Sequence, residues 1–170
     1  MKEKTQIEIE RKYIIEKPKI SLIRNMPKST ESEILQIYLP SENGETRRIR
    51  RRVYKDKTLC YETRKIRIDG MSCTEIEREI TSDEFATLSQ SIKEGTTPIN
   101  KTRYTFDYEG QTFDIDVYPQ WQSSAIMETE LESREKQVEI PSFINIIREV
   151  TGNKSYSNAS MSREFPKEDI

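Results

Sequence analysis

The stretch Ile7–Ile15, which reads IEIERKYII, decides the fold because its side chains alternate between charged and apolar residues. Successive side chains of a β-strand point to opposite faces, so one face carries Glu8, Glu10 and Lys12. The other face carries isoleucines together with Arg11, which is therefore predicted to be structural. A lone strand of this kind is typical of a half-buried sheet whose charges lie in water.

Later segments repeat this alternation, each with like charges two residues apart, and Asn43-Gly44, Asp69-Gly70 and Glu109-Gly110 supply turn signals between them. The charges are sorted strand by strand into basic and acidic sets: Arg48 and Arg50, Lys65, Glu75 and Glu77, Lys101 and Arg103, Asp114 and Asp116, Glu128 and Glu130. About eight antiparallel strands can close into a barrel with the charged face inside. The alternative is an open sheet with solvated charges, but such a face would carry more Ser, Thr, Gln and mixed charge.

Residues 1–170 are expected to form one α+β domain, an eight-stranded antiparallel β-barrel with surrounding helices. A short helix is predicted near residues 21–26, before Pro27. The capping box Thr81–Glu84 predicts a second helix that ends at Gly95. Residues 133–137 and 141–150 are also expected to be helical. Trp121, in the loop 119–124, is expected to pack rather than to bind a ligand.

Composition excludes several classes of function. The 28 basic and 30 acidic residues give a net charge of −2, so no overall basic footprint for nucleic acid is present. The absence of histidine removes Ser-His and Cys-His nucleophiles and the usual zinc sites. Two cysteines, no signal-like apolar segment and no membrane-length apolar run predict a cytoplasmic protein that does not bind a membrane.

A face of sorted charges suits a polyanion bound together with a metal ion. Arginine and lysine side chains from different strands can converge on phosphate oxygens. Clustered carboxylates ionise together readily only when a cation neutralises them, and oxygen ligands favour Mg²⁺ or Mn²⁺. Metal, cationic groups and water together are the components of phosphoryl transfer or hydrolysis.

The Glu8-x-Glu10-x-Lys12 pattern resembles the signature of the CYTH superfamily, the triphosphate tunnel metalloenzymes. Further segments resemble that family's strands in the same order over nearly the whole chain: QIYL at 36–39, RIR at 48–50, YETRK at 61–65, EIE at 75–77, KTRY at 101–104, DIDVY at 114–118 and ETEL at 128–131. Residues 148–160 resemble the family's C-terminal helix-and-plug segment. One ExExK pattern is weakly specific, whereas this ordered set is strongly specific.

The resemblance implies an eight-stranded tunnel that binds a small-molecule triphosphate with Mg²⁺ or Mn²⁺. Family metal ligands match Glu8, Glu10, Glu128 and Glu130. Family phosphate-binding positions match Lys12, Arg48, Arg50, Lys65, Lys101 and Arg103. Further acidic positions, which bind a second metal or orient basic residues, match Glu75, Glu77 and Asp116. The chain departs from the family at Ile37, often Gly, and at Cys73-Thr74, where an Arg often stands.

We expect hydrolysis of a triphosphate, with inorganic tripolyphosphate as the leading substrate, by a metal-activated water. The catalytic candidates are Lys12 on the phosphates, Lys101 as general base, since neighbouring cations would lower its pKa, and Tyr38 to orient the phosphate. Alternatives are a thiamine triphosphatase, a class IV adenylyl cyclase that makes cyclic AMP from ATP, and a non-catalytic module that binds polyphosphate or a nucleotide. A homodimer is compatible with the sequence.

Overall fold

Most of the chain forms antiparallel strands in the computed structural model, which describes residues 3–168. The strands are β1 Glu3–Glu16, β2 Thr30–Leu39, β3 Glu45–Tyr54, β4 Lys57–Arg67, β5 Ser72–Ile80, β6 Ile99–Tyr108, β7 Gln111–Val117, β8 Ser124–Glu130 and β9 Ile146–Glu149. The helices are α1 Ile20–Arg24, α2 Ser82–Ser89 and α3 Asn158–Met161, with a 3₁₀ turn at Lys154–Tyr156. No helix within the described range is long and apolar enough to span a membrane.

Eight of the strands close into a barrel, as the alternation predicted. Their order is β5-β4-β3-β2-β6-β7-β8-β1, and β1 pairs back onto β5. The closing strand divides its pairing, because Glu3–Ile9 pairs with β5 and Glu10–Glu16 pairs with β8. The open-sheet alternative is therefore excluded. The predicted eight-stranded antiparallel β-barrel is confirmed, with one additional strand and few helices.

The additional strand, β9, corrects the expectation of a helical tail. β1 loses its β5 partner beyond Ile9, and β9 pairs with it on that side from Tyr13 to Ile15. Just beyond β9, the Val150 N–H donates to the Lys12 carbonyl at 2.8 Å. Because buried backbone groups must find hydrogen-bond partners, strand pairing overrides the local sequence preference here. Residues 133–137 form turns and irregular structure rather than a helix.

The two internal helices lie close to where the sequence predicted them. α1 occupies Ile20–Arg24 before Pro27. The Thr81 capping box begins α2 as predicted, with the Thr81 hydroxyl accepting from the Glu84 amide. The helix ends at Ser89, however, and not at Gly95. The chain continues from Ser89 to Gly95 through turns, where the Lys93 N–H donates to the Tyr38 carbonyl of β2 at 2.8 Å.

Three apolar clusters stabilise the barrel. Two lie on its outer surface: one packs α1 and residues 138–144 against β1, β6, β7 and β8, and the other packs α2 against β2, β3 and β4. The third lies inside one end of the barrel, where the C-terminal segment packs on inward-facing side chains; its members are Ile14, Tyr38, Ile99, Tyr118, Trp121, Ile126, Val150, Tyr156 and Met161. Trp121 is 3% exposed and packs in this cluster, as expected.

Candidate active site

The charged faces of the strands enclose a cavity of about 400 Å³ in the barrel lumen. This volume is within the range of roughly 300–1,000 Å³ typical of small-molecule sites. Twelve of the predicted site residues line it: Glu8, Glu10, Lys12, Tyr38, Arg48, Arg50, Lys65, Glu75, Glu77, Arg103, Glu128 and Glu130. Lys101 and Asp116 do not line the cavity. They are buried against its basic wall.

The strand register places the charges opposite one another. Glu10 lies opposite Glu130 across the β1–β8 pair, and Lys12 lies opposite Glu128. In the same way Lys65 of β4 lies opposite Glu75 of β5. Because the side-chain period of a strand is two, one register fixes a whole row of inward-facing groups. The sorted charges of the sequence thus become acidic and basic walls of one lumen.

The acidic wall is electrostatically crowded. Burial and the nearby Glu128 carboxylate raise the pKa of Glu10 to about 7. Burial together with Glu8 and Glu75 raises the pKa of Glu130 to about 7. Like charges in a low-dielectric site disfavour ionisation of each other. A cation bound among these carboxylates would relieve the repulsion.

Two lysines of the lumen are held by carboxylates. Lys12 Nζ lies 3.2 Å from Glu128 Oε1 and donates to the Tyr156 carbonyl at 3.2 Å. Lys65 Nζ bridges Glu8 and Glu75, at 3.3 Å from an oxygen of each. Although burial opposes the shift, Lys12 and Arg103 hold the pKa of Glu128 down at about 2. These lysines are fixed in place, and part of their charge is already balanced.

Arg48 and Arg50 of β3 differ from the lysines, because neither forms an ion pair within residues 3–168. Arg50 donates from Nε and Nη2 to Gln36 Oε1, at 3.0 and 2.6 Å. Burial and the neighbouring cations Arg48 and Arg103 lower the pKa of Arg50 to about 9. Arg48 Nε is buried without a hydrogen-bond partner in the described part of the chain. Burial lowers the pKa of Arg48, but Tyr38, Glu75 and Glu8 outweigh it and raise the pKa, so the excess of positive charge is greatest at Arg50 within this pair.

Asp116 of β7 forms the centre of a buried charge network behind this wall. It accepts from Lys101 Nζ at 2.7 Å and from Arg103 Nε and Nη2 at 2.7 and 2.8 Å. Asn158 Oδ1 of α3 accepts from the Tyr118 hydroxyl at 2.9 Å and lies 3.5 Å from Lys101 Nζ. The two cations hold the pKa of Asp116 far below its usual range, against the effect of burial.

Lys101, like Asp116, does not line the lumen cavity. Its side chain is 0% exposed, and Asp116 occupies its ammonium group. Burial, Arg103 and Arg50 lower the pKa of Lys101 to about 7. That value suits a general base, but a base must reach the proton that it abstracts. The assignment of Lys101 as general base stays a prediction, and its position favours a role through Asp116 and Arg103.

The donor chemistry of the acidic wall fits a hard divalent cation. All its charged groups are carboxylates, which Mg²⁺ and Mn²⁺ prefer. No group of three such side chains within residues 3–168 already converges on one metal position. Mg²⁺ is usually bound through one or two carboxylates plus substrate phosphates and water, so three converging carboxylates are not required. Of the predicted metal ligands, Glu8, Glu10 and Glu130 line the same cavity, Glu8 also pairs with Lys65, and Asp116 is occupied by Lys101 and Arg103.

Several residues of the site were not predicted as functional. Gln36 is 0% exposed and holds Arg50 from behind. Thr63 donates to Glu77 at 3.0 Å, and Ser157 and Asn158 of the C-terminal segment line the cavity. Gln36 could have been found from its position in the sequence, because it is a neutral polar residue on the same strand face as Tyr38. Ser157 and Asn158 had no comparable signal, because the docking of the C-terminal segment brings them to the lumen.

Comparison with solved structures gives matches over most of the chain. The inorganic triphosphatase NE1496 is 25% identical over 94% of this chain and 96% of its own, with a TM-score of 0.60. The PH1819 protein from Pyrococcus horikoshii OT3 is 25% identical over 75% of this chain and 80% of its own, with a TM-score of 0.57. A candidate adenylate cyclase from Bacillus halodurans shares the fold at 16% identity, with coverages of 81% and 95% and a TM-score of 0.51. No protein-family model and no curated protein matches the chain.

A closed eight-stranded antiparallel barrel with acidic and basic walls around one lumen defines a triphosphate-tunnel architecture. The two solved structures at 25% identity share the fold of this barrel, and the ordered strand motifs agree with it. The chain belongs to the CYTH superfamily.

Proposed function

We propose that this protein is a divalent-metal-dependent triphosphatase whose leading substrate is inorganic tripolyphosphate. The observation that carries the proposal is the Arg48–Arg50 pair, which forms no ion pair within residues 3–168, in a lumen that also holds a crowded carboxylate wall. Arg48 offers a buried Nε without a partner among the described residues, and Arg50 keeps donors free after its two bonds to Gln36. A bound polyanion with its cation satisfies both walls at once.

The similarity to the inorganic triphosphatase NE1496 supports this substrate class. A linear tripolyphosphate is anionic along its whole length, as the lumen requires. The cavity ends at Ser157, Asn158 and Ala159 of the C-terminal segment, so the lumen has a closed end where a phosphoryl group can be seated. An organic group on the substrate would have to remain toward the open end.

Mg²⁺ or Mn²⁺ would be held by Glu8, Glu10 and Glu130, with Glu128 beside them. When bound, such an ion neutralises phosphate charge and polarises phosphoryl oxygens. Glu128 already pairs with Lys12, so it joins the acidic wall to the basic wall. Glu75 and Glu77 face the same cavity, next to Lys65 and Thr63 respectively. They can take part in metal binding or hold those neighbours.

The reaction is the attack of water on a terminal phosphorus. The P–O bond to the bridging oxygen breaks, and tripolyphosphate plus water gives diphosphate and orthophosphate. Lys12, Arg48 and Arg50 donate to non-bridging oxygens, whose charge is redistributed in the transition state. Arg103 supports the same wall because Asp116 fixes its fork. Donors that are oriented before the reaction contribute most to such catalysis.

Tyr38 and Lys101 have different positions relative to this chemistry. Tyr38 lines the cavity and lies opposite Arg48 in the β2–β3 pair, where its hydroxyl can contact a phosphate oxygen. Lys101 lies behind the wall on Asp116 and acts as a positioning residue for Arg103. In this proposal the cations at the lumen surface contact the substrate, and Lys101 helps to hold Arg103 in position through Asp116.

The test is a phosphate-release assay with tripolyphosphate, ATP and thiamine triphosphate, each with Mg²⁺, with Mn²⁺ and with a chelator. We expect metal-dependent release that is fastest from tripolyphosphate. Arg50→Gln should lower kcat/KM by roughly 10²–10³, as the loss of one preorganised charge-stabilising donor does elsewhere. The matched control is Arg24→Gln, which changes an exposed arginine on α1 that pairs with Glu31 at the protein surface.

Release from none of the three compounds would overturn the proposal. Cyclic AMP formed from ATP would favour a cyclase, and fastest release from thiamine triphosphate would favour a thiamine triphosphatase. Tight metal-dependent binding of tripolyphosphate without turnover would indicate a non-catalytic binding module. Equal loss of activity in Arg50→Gln and Arg24→Gln would show that the Arg48–Arg50 pair is not the substrate site.

A further inference from the structure

The cations of the barrel interior have two kinds of partner. Lys12, Lys65, Lys101 and Arg103 each form an ion pair with a carboxylate. Arg50 is held instead by the neutral amide of Gln36. A carboxylate in the place of that amide would accept the same two hydrogen bonds and add a negative charge. The difference between the two acceptors is therefore electrical and not geometric.

Gln36 forms hydrogen bonds with Arg50, but its side chain does not itself reach the lumen. It lies opposite Arg50 in the β2–β3 register, is 0% exposed and does not line the cavity. Its Oε1 takes two of the five guanidinium donors, at 3.0 and 2.6 Å. Its Nε2 donates to the Tyr38 hydroxyl at 3.4 Å. Because only the amide oxygen can accept from arginine, this orientation of the side chain is fixed by chemistry.

We infer that Gln36 is a positioning residue that aims the Arg50 fork at the lumen while leaving its charge available to an anionic ligand. The inference rests on the proposed function for the identity of that ligand, a triphosphate. Its physical basis is that an amide satisfies buried N–H donors without neutralising the cation, whereas every carboxylate in the barrel balances the cation it touches. The lowered pKa of Arg50 agrees with a cation surrounded by other cations.

The inference predicts effects of opposite sign on folding and on binding. In Gln36→Glu, the new carboxylate pairs with Arg50, so the ligand-free protein should have a Tm equal to or above that of the wild type. The same pairing should raise the Kd for tripolyphosphate at least tenfold in calorimetry with Mn²⁺. In Gln36→Met, which has a similar shape and no acceptor, both Tm and affinity should fall. A purely structural role for Gln36 would move stability and binding in the same direction in both variants.

The control for net charge is Gln137→Glu, at an exposed position outside the helices and strands, which should leave Tm and Kd unchanged. Tripolyphosphate affinity of Gln36→Glu within threefold of the wild type would overturn the inference, and so would a lower Tm. Failure of the wild type to bind tripolyphosphate would overturn the proposed function instead. The Tm comparison still decides the inference in that case, because it needs no ligand.

Discussion

Asp116 holds Arg103 through two hydrogen bonds, from Nε to Oδ1 at 2.7 Å and from Nη2 to Oδ2 at 2.8 Å. Lys101 donates to the same carboxylate at 2.7 Å, and all three groups are buried or nearly so. Asp116 is therefore the ion-pair partner of Lys101 within residues 3–168 and the closest of three carboxylates around Arg103, since Asp114 and Glu128 lie 3.3 and 3.7 Å from its guanidinium. The network lies on β6 and β7, directly behind the basic wall of the lumen.

Asp116→Asn should be strongly destabilising, because it leaves the buried Lys101 without an ion pair among residues 3–168 and removes the closest carboxylate from Arg103, which keeps only the longer contacts to Asp114 and Glu128 at 3.3 and 3.7 Å. Breaking a buried ion pair from one side costs about 3–5 kcal/mol of unfolding free energy. Urea denaturation at pH 7 measures the effect. Asp107→Asn is the control, because Asp107 pairs with the exposed Lys28 at 3.6 Å and such surface pairs contribute about 0–1 kcal/mol. Equal losses in the two variants would contradict the buried network.

Glu62→Gln should reduce stability in a pH-dependent way. Glu62 accepts from Arg47 at 2.5 Å and from Arg78 at 2.9 Å on the outer face of β4, and these arginines lower its pKa against the effect of burial. A depressed folded-state pKa stabilises the protein above the unfolded value of 4.5, and the contribution is lost as pH falls below it.

The measurement for Glu62→Gln is the unfolding free energy at several pH values between 3 and 7. The difference in unfolding free energy between wild type and variant should be constant from pH 7 down to about 5 and should become smaller below that pH. The exposed Glu139→Gln serves as the reference for removing one surface carboxylate. If the difference in unfolding free energy increases as the pH is lowered, the ion pairs of Glu62 with Arg47 and Arg78 are wrong.

Glu10→Gln should weaken metal binding in the presence of tripolyphosphate. A ligand stabilises the folded state according to its concentration relative to Kd, so tenfold weaker binding removes about 1.4 kcal/mol of that stabilisation. Thermal unfolding with tripolyphosphate, with and without Mn²⁺, reports the loss as a smaller Tm shift. Glu94→Gln changes an exposed carboxylate in the turn after α2 and should keep the full shift. If the Tm shift of Glu10→Gln is as large as that of the wild type, Glu10 is not a metal ligand.

Gly152→Ala should destabilise the protein more than Gly95→Ala does. Both glycines have positive φ, +76° and +78°, which costs an L residue about 1–2 kcal/mol. A Cβ on Gly152 would also lie 2.9 Å from the Gly70 carbonyl oxygen, whereas a Cβ on Gly95 meets nothing within 4 Å. The difference in unfolding free energy between the variants isolates the close approach of the C-terminal loop to the 69–71 turn. Equal losses would mean that the two backbones can separate freely.

The alternation of residues predicted the barrel and most of its lumen, because a strand period of two fixes which side chains share a face. Glu8 and Glu130 could be placed on one charged face without knowledge of contacts. The role of Gln36 could not be predicted, since nothing in a neutral amide reveals that it faces an arginine across a strand pair. β9 was mistaken for a helix because its formation depends on where β5 ends along β1, which is a property of the closed barrel.

The apolar cluster around Tyr118 and Trp121 fills one end of the barrel, so the lumen is open at the other end and is not a through-channel. Under the proposed function, substrate and products would enter and leave the lumen through the same opening. If the proposed hydrolysis takes place here, orthophosphate and diphosphate would have to leave before another molecule enters, and the product nearer the closed end would leave last. A polyphosphate chain longer than the lumen would bind by one end, and the rest of the chain would lie in solvent outside the barrel.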